Sequence, residues 1–335
     1  MISSRKEIRG ADVASHYDEL DGFYRDIWGE HVHHGLWLTG DESRTQAVRQ
    51  LAELVAREAQ IREGTRVMDI GCGYGATARL LARELGADVT GMTISEAQYR
   101  IACEGNVAEL LMAEHPTSNI QLPTSNVPPR NTTSRSASAG EHSKSGVDQS
   151  AKRTSLHPSS FILHPSPTFL LGDWLTNTLP ADSFDAAIAI ESSEHMDKPG
   201  FFAQAQRILR PGGRLVVTSW LARENPTRNQ ERWLIEPISR EGRMPHLGSE
   251  TDYRKMAADA GFAVERFQDV TRQIARTWPM IVRVFLWRLL CKPAYLRFIL
   301  DPRSQNAIFG LTIVRLWIAF RTGAMRYGVF TLHKL

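Results

Sequence analysis

The chain has 335 residues, 42% of them hydrophobic and 23% charged, a balance that excludes collagen-like, disulfide-dense and wholly disordered classes. Forty Lys and Arg against 37 Asp and Glu leave a net charge of +3, too even to argue for nucleic-acid binding. Cys72, Cys103 and Cys291 are widely spaced and form no C-x-x-C pair, so neither a disulfide framework nor a zinc site is expected, and a reducing cytoplasm is the expected compartment.

The basic residues of 1–10 are followed by no apolar stretch, so no secretory signal is read there. After an N-terminal helical region, 66–70 reads as a buried strand, 76–85 as a helix, 88–92 as a second strand and 95–113 as a helix. The composition then breaks. Within 116–168, 25 of 53 residues are Ser, Thr or Pro, and Phe161 is the only aromatic. So little apolar surface cannot offset the entropy of ordering the segment, and a disordered insertion is predicted.

Beyond it, short strands are predicted at 169–171 and 184–190, a helix near 201–209, a turn at Pro211-Gly212-Gly213 and a strong strand at 214–220. A helix over 251–260 stops at Gly261, and a sixth strand covers 262–270. From Ile274 the pattern is helical until Gly328, with a final strand at 329–332. This alternation predicts an α/β fold on a parallel sheet. The most apolar windows, 280–291 and 308–320, are too short to span a bilayer, and Arg283, Arg288 and Arg315 interrupt them.

Asp69-Ile-Gly71-Cys72-Gly73-Tyr-Gly75 falls where the first sheet strand turns into a helix, the place at which an open α/β sheet binds its ligand. Gly71-x-Gly73-x-x-Ala76 also satisfies a dinucleotide fingerprint. A nicotinamide enzyme would place an acid about twenty residues on to hold the ribose. This chain has Gly91-Met-Thr93-Ile94-Ser95-Glu-Ala-Gln98 there instead.

With these two segments the chain resembles the class I S-adenosylmethionine-dependent methyltransferases, and Thr93-Ile94-Ser95-x-x-Gln98 looks like the branch with cyclopropane synthases and tocopherol methyltransferases. The likeness to the γ-tocopherol methyltransferase group spans nearly everything outside the insertion. It is carried also by Tyr17-Asp18 with Phe23-Tyr24-x-x-x-Trp28-Gly29-x-His31-x-His33-His34-Gly35-x-Trp37, by Glu191-Ser-Ser-Glu194-His195-Met196 and by Trp278-Pro279. The resemblance implies a Rossmann-like seven-stranded methyltransferase sheet with helices on both faces. It also implies a helical N-terminal cover over 1–60, a cofactor-binding core over 61–115 and 169–275, and a helical, substrate-side extension over 276–335 that completes the sheet. The departure is the 116–168 insertion, where relatives have a short connection.

The resemblance also assigns roles. Asp69, Gly71 and Gly73 would hold the methionine end of S-adenosylmethionine, with Tyr17, Cys72, Thr93 and Glu191 also at the cofactor. Ile94 would pack on the adenine and Gln98 bond the ribose, while Asp173 would accept from the adenine amino group beside Trp174. The lesser, purely structural alternative makes Asp69 and Asp173 loop caps and Trp174 core. Glu194 and His195, just past a strand end, are the candidate acid–base groups, since burial can tune either toward neutral pH; a histidine bonded to backbone is the other reading of His195. His34, Trp37 and Trp278 would face the acceptor. The spacing of His31, His33 and His34 matches no standard ligand pattern, so no metal is expected.

Residues 276–335 hold ten basic residues and one acid, Asp301, interleaved with ten aromatics. Such helices suit an anionic membrane surface, and equally the roof of an apolar pocket. The 116–168 segment carries five basic and two acidic residues, so the remaining body holds 25 basic and 34 acidic. The expectation is a cytoplasmic methyltransferase, peripheral at the inner membrane face. It would act on a lipophilic small molecule, first a phenolic or chromanol, tocopherol-like ring. A sugar, amine or polyketide hydroxyl as acceptor, or a cofactor-binding protein without turnover, are the alternatives.

Overall fold

The computed structural model describes residues 2–3, 8–114, 165–300 and 309–335. Contacts divide the chain into one unit of Met1–Leu110 with His164–Leu335 and a second of Leu111–Leu163; the sheet and its site lie in the first. The predicted insertion falls, up to residue 164, outside the described residues.

The chain opens with a two-residue strand, β1 (Ile2–Ser3), then α1 (Gly10–Trp28) and α2 (Arg44–Glu58). Ser43 caps α2 by accepting from Gln46 N while the Gln46 side chain accepts from Ser43 N, satisfying donors the helix cannot. β2 (Arg66–Ile70), α3 (Ala76–Leu85), β3 (Asp88–Thr93) and α4 (Glu96–Glu114) follow within a residue or two of the sequence reading. So do β4 (Thr168–Leu171) and β5 (Phe184–Ile190), whereas α5 (Lys198–Ile208) starts three residues before the reading and β6 (Leu209–Ala222) five, running through the predicted turn.

A helical excursion unassigned by the sequence comes next: α6 (Arg228–Gln230), a π-helical turn (Glu231–Ile235) and α7 (Glu236–Glu241). β7 (His246–Leu247) pairs antiparallel with β1. α8 (Glu250–Asp259) and β8 (Phe262–Asp269) precede α9 (Thr271–Ile274), α10 (Thr277–Cys291), α11 (Pro293–Leu300), α12 (Phe309–Arg321) and β9 (Met325–Lys334).

The main sheet has seven strands in the order β4-β3-β2-β5-β6-β9-β8. Four neighbouring pairs are parallel, but β9 runs antiparallel to both β6 and β8, so the sheet is mixed where the sequence suggested a parallel one. β9 also starts earlier than predicted. Gly328, which reads as a helix stop, lies inside the strand, paired with Ser219 and Asp269, and a Cβ there would come 2.5 Å from the Phe267 ring.

Both faces of the sheet are buried, which is why its strands read as continuous apolar runs. Val67, Ile188 and Val216 face one core with Leu51 and Leu81 of the flanking helices. Their chain neighbours Met68, Ala187, Ala189, Leu215 and Val217 face the other, with Phe201, Phe202 and Tyr253. Alternate residues of each strand thus serve opposite layers.

Candidate active site

From β2 the sheet runs outward through β3 to β4, whereas β5 leads the other way to β6. The loops after β2 and β5 therefore diverge and leave a crevice at the strands' carboxyl ends. A cavity of about 630 Å³ lies there.

Gly71 and Gly73 line it at φ of 76° and 55°. A Cβ on Gly71 would sit 2.4 Å from that of Ser192, so only glycine lets the two loops touch. Thr93 and Ile94 form the next wall, and Thr93 Oγ1 donates to Gln98 Oε1 at 2.9 Å, turning the Gln98 amide nitrogen the other way. Asp173 Oδ1 accepts from Leu175 N at 2.9 Å and caps the following turn, so the capping reading holds, yet the residue also lines the cavity. Trp174 lines it too and donates to Phe201 O at 3.3 Å.

Asp69 sits behind the glycine loop in an adjoining cavity of about 40 Å³, with His31, His33 and Cys72. Its Oδ2 is buried with no hydrogen-bond partner among the described residues, and burial pushes the carboxyl up to about 7. A buried, unpaired carboxyl beside exposed glycine backbone fits a ligand ammonium, which would supply the missing partner. His31 Nδ1 and His33 Nε2 lie 3.2 Å apart, and burial drives His31 down to about 3, so this pair is neutral. Among the described residues no His, Cys, Asp or Glu group is arranged to hold a metal.

α1 lies across the crevice and is tied from two sides. Asp18 accepts from Ser95 Oγ at 2.6 Å and Ala97 N at 3.2 Å, and Asp21 accepts from Tyr74 OH at 2.8 Å. Gly10, Val13 and Tyr17 of this helix thereby close the cavity.

Tyr17, Val32, Glu191 and His195 line both that cavity and a tighter inner pocket of about 80 Å³. His34, Trp220, Trp278 and Ile313 wall the inner pocket, with Tyr24 and Glu194. Glu191 organises the junction from a strained φ of 52°. It accepts from His34 N (2.7 Å), His34 Nδ1 (2.9 Å), Trp220 Nε1 (3.2 Å) and Tyr327 OH (2.7 Å). Burial alone would raise its pKa, but His34 and the bonds it donates hold the carboxyl below its ordinary value. Glu191 is therefore charged and fully engaged.

Glu194 differs. It accepts from Trp220 N at 2.7 Å through Oε1, while among the described residues Oε2 meets only Ser193 Oγ, at 3.5 Å. Burial pushes this carboxyl up to about 7. Lys198, fully buried and absent from the sequence reading, donates to His246 O at 2.6 Å, and burial lowers it to about 8. His195 Nδ1 faces Arg243 O at 3.4 Å, and its Nε2 meets Tyr17 OH at 2.9 Å. A carbonyl can only accept, so Nδ1 carries the proton and Tyr17 donates to Nε2. Burial lowers His195 to about 4, consistent with a neutral ring.

A methyltransferase-domain family model matches residues 43–266. The chain belongs to that methyltransferase family. It is 26% identical over 339 residues to a probable chloroplastic tocopherol O-methyltransferase of Oryza sativa, covering 96% of this chain and 77% of the relative. It is 25% identical to the 2-methyl-6-phytyl-1,4-hydroquinone methyltransferase of Synechocystis, covering 98% and 90%. A cyclopropane synthase structure from Mycobacterium tuberculosis shares the fold, with TM-score 0.70, 19% identity and coverage of 97% and 98%. The methyltransferase uses S-adenosylmethionine, and the Asp69 carboxyl and glycine loop fit its amino-acid end.

Most of the residues proposed from sequence converge on this junction. Three do not: Asp69, which lines only the small adjoining cavity, Trp37 and Cys72. Trp37 lines neither cavity and its indole donates to Thr277 Oγ1 at 3.3 Å. Cys72 lines only the small cavity, where it packs so close to Gly91 that a Cβ there would lie 2.9 Å from its sulfur. Sequence reasoning missed Trp220 and Tyr327, both near strand ends, and Lys198. Trp220 carried a legible signal, an aromatic at the carboxyl end of a strand.

Proposed function

We propose that this methyltransferase methylates a lipophilic acceptor carrying a phenolic or chromanol, tocopherol-like ring, seated in the inner pocket. One observation carries the reading. His34 Nε2 and Trp278 Nε1, both on residues lining that aromatic pocket, are buried without a hydrogen-bond partner among the described residues. A pocket rich in aromatic side chains with two unsatisfied nitrogens suits a flat apolar ring bearing oxygen. The relatives named for tocopherol and phytyl-hydroquinone point the same way.

When bound, S-adenosylmethionine would supply an electrophilic methyl group; Gly71, Gly73 and Asp69 would hold its amino-acid end, and Ile94, Gln98, Asp173 and Trp174 its nucleoside. Glu194 is the candidate base, since a carboxyl at about 7 takes a phenolic proton at working pH and so raises the nucleophilicity of oxygen and ring. His195 holds Tyr17 between the cavities, and Glu191 fixes His34. Much of the acceleration then comes from alignment and exclusion of water.

Turnover with tocopherols and prenylated quinols, set against sugars, amines and polyketide alcohols, tests this. The quinols and tocopherols are expected to lead; turnover only of a polar acceptor overturns the reading.

A further inference from the structure

The outer surface of the C-terminal helices is apolar where a folded protein ordinarily is not. On α10, Leu286, Trp287 and Leu290 are 52, 63 and 82% exposed. On α12, Leu311 and Ile318 are 47 and 40% exposed. Their spacing follows the helix repeat, and it leaves Trp278, Ile281 and Phe285 of α10 and Ile313, Leu316 and Phe320 of α12 buried on the inner side. The two helices pack together.

We propose that this face docks on an anionic lipid bilayer, and that the acceptor's apolar chain passes between bilayer and inner pocket at α10 and α12. Charge selects this occupant. No acidic residue occurs in α10, α11 or α12. Some cations of these helices are paired, Arg288 and Lys292 sharing Asp26 and Arg315 meeting Glu241. Arg283, Arg297 and Arg321 are exposed beside the apolar residues instead, the arrangement of an interfacial helix that inserts one face and sets cations against lipid phosphates.

The pocket supplies the purpose. Trp278 of α10 and Thr312, Ile313 and Leu316 of α12 line its wall with their inner faces, so the same helices touch the reacting ring and the solvent. An inner pocket of about 80 Å³ seats a ring, whereas whole lipophilic ligands occupy sites of ~300–1,000 Å³. The chain of the acceptor must therefore leave. This passage rests on the lipophilic-acceptor reading; the docking does not.

Flotation of the full-length protein with phosphatidylcholine vesicles, with and without phosphatidylglycerol, tests the docking without any acceptor. Binding to the anionic vesicles and its loss in high salt are expected. Replacing Arg283, Arg297 and Arg321 together by Gln should weaken it roughly a hundredfold, from the worth of each cation at such a surface. Trp287→Glu with Leu290→Glu should abolish it. Both variants should keep the thermal midpoint, cofactor affinity and turnover of a short-chain, water-soluble phenol, while losing turnover of acceptor presented in vesicles. No flotation of the native protein, or flotation unchanged in both variants, overturns the docking. So does a dimer that becomes a monomer in the Glu variant, which assigns the face to a second copy. Flotation without any phenol turnover would leave the docking standing and sink the acceptor reading instead.

Discussion

The two cavities meet at Tyr17, Val32, Glu191 and His195, yet they are built differently. The cofactor side comes mainly from strand ends and the loops that follow them, spaced regularly along the chain and held by backbone pairing. The inner pocket proposed for the acceptor is assembled from α1, the loop after it, the loop after β5, the end of β6, α7, α10 and α12, elements distant in sequence that meet largely through side chains. Backbone geometry fixes the first; the second depends on individual contacts such as the four bonds to Glu191. Substitutions on the two sides should therefore fail in different ways.

The largest effect is expected at Glu194. Glu194→Gln keeps the volume and the bond from Trp220 N but removes the base, so turnover should fall by about 10²–10⁴ with cofactor affinity nearly unchanged in calorimetry. In the native protein, activity should rise with pH through about 7, where this carboxyl ionises, and that limb should vanish in the variant. Stability should move oppositely. A carboxyl raised above its ordinary value contributes stability at low pH that is lost as pH rises through about 7. At pH above that, the variant escapes the loss and should melt higher. Full activity in the variant would remove Glu194 from the chemistry.

Asp69 tests the other side. Asp69→Asn should weaken binding of S-adenosylhomocysteine by about 10–100-fold, the worth of one hydrogen bond to a charged group, and leave bound-state turnover comparatively intact. Because the free carboxyl ionises near 7 and an ammonium selects its charged form, native affinity should fall as pH drops below that value. Calorimetry in buffers of different ionisation enthalpy should show proton release on binding. A pH-independent affinity would show that Asp69 does not meet the ammonium.

Glu191 belongs to both sides, so its loss should not separate them. Glu191→Gln replaces an ionised acceptor with an amide that cannot accept four bonds, leaving a His34 donor unpaired, whereas Tyr327 OH still has Thr218 Oγ1 at 3.0 Å. A cost of about 1–3 kcal/mol in urea unfolding is expected, with affinity and turnover falling together.

This contrast also explains what the sequence disclosed. Strand ends such as 66–70 and 184–190 were legible because both faces are buried, and the glycine loop because its turn demands positive φ. Asp69, Thr93 and Asp173 then follow from the family resemblance laid on that topology. The acceptor wall was half legible: His34 and Trp278 line it, but Trp37, equally aromatic and close in sequence, points to Thr277. Lys198 gave no signal, since a lysine at the first turn of a helix is ordinarily solvated and this one is buried only because β7 returns its His246 carbonyl. The antiparallel placement of β9 depends on pairing with β6 and β8 far away in sequence, which no local pattern encodes.

The smallest effect is the most discriminating for α1. Gly10 begins the helix where a Cβ would lie 2.8 Å from Asp173 Oδ2 and 2.9 Å from Ile94 Cδ1. Its φ is not in the left-handed region, so alanine there meets no backbone objection, and in a free helix it would stabilise by up to about 1 kcal/mol. In this protein the methyl must push either the helix start or the cofactor-binding residues aside. If α1 closes the cofactor cavity, Gly10→Ala should leave the melting temperature nearly unchanged while weakening cofactor binding severalfold, through faster dissociation. A slower or unchanged off-rate in stopped-flow measurement would show that the helix start is free to move and that Asp18 and Asp21 alone hold the cover.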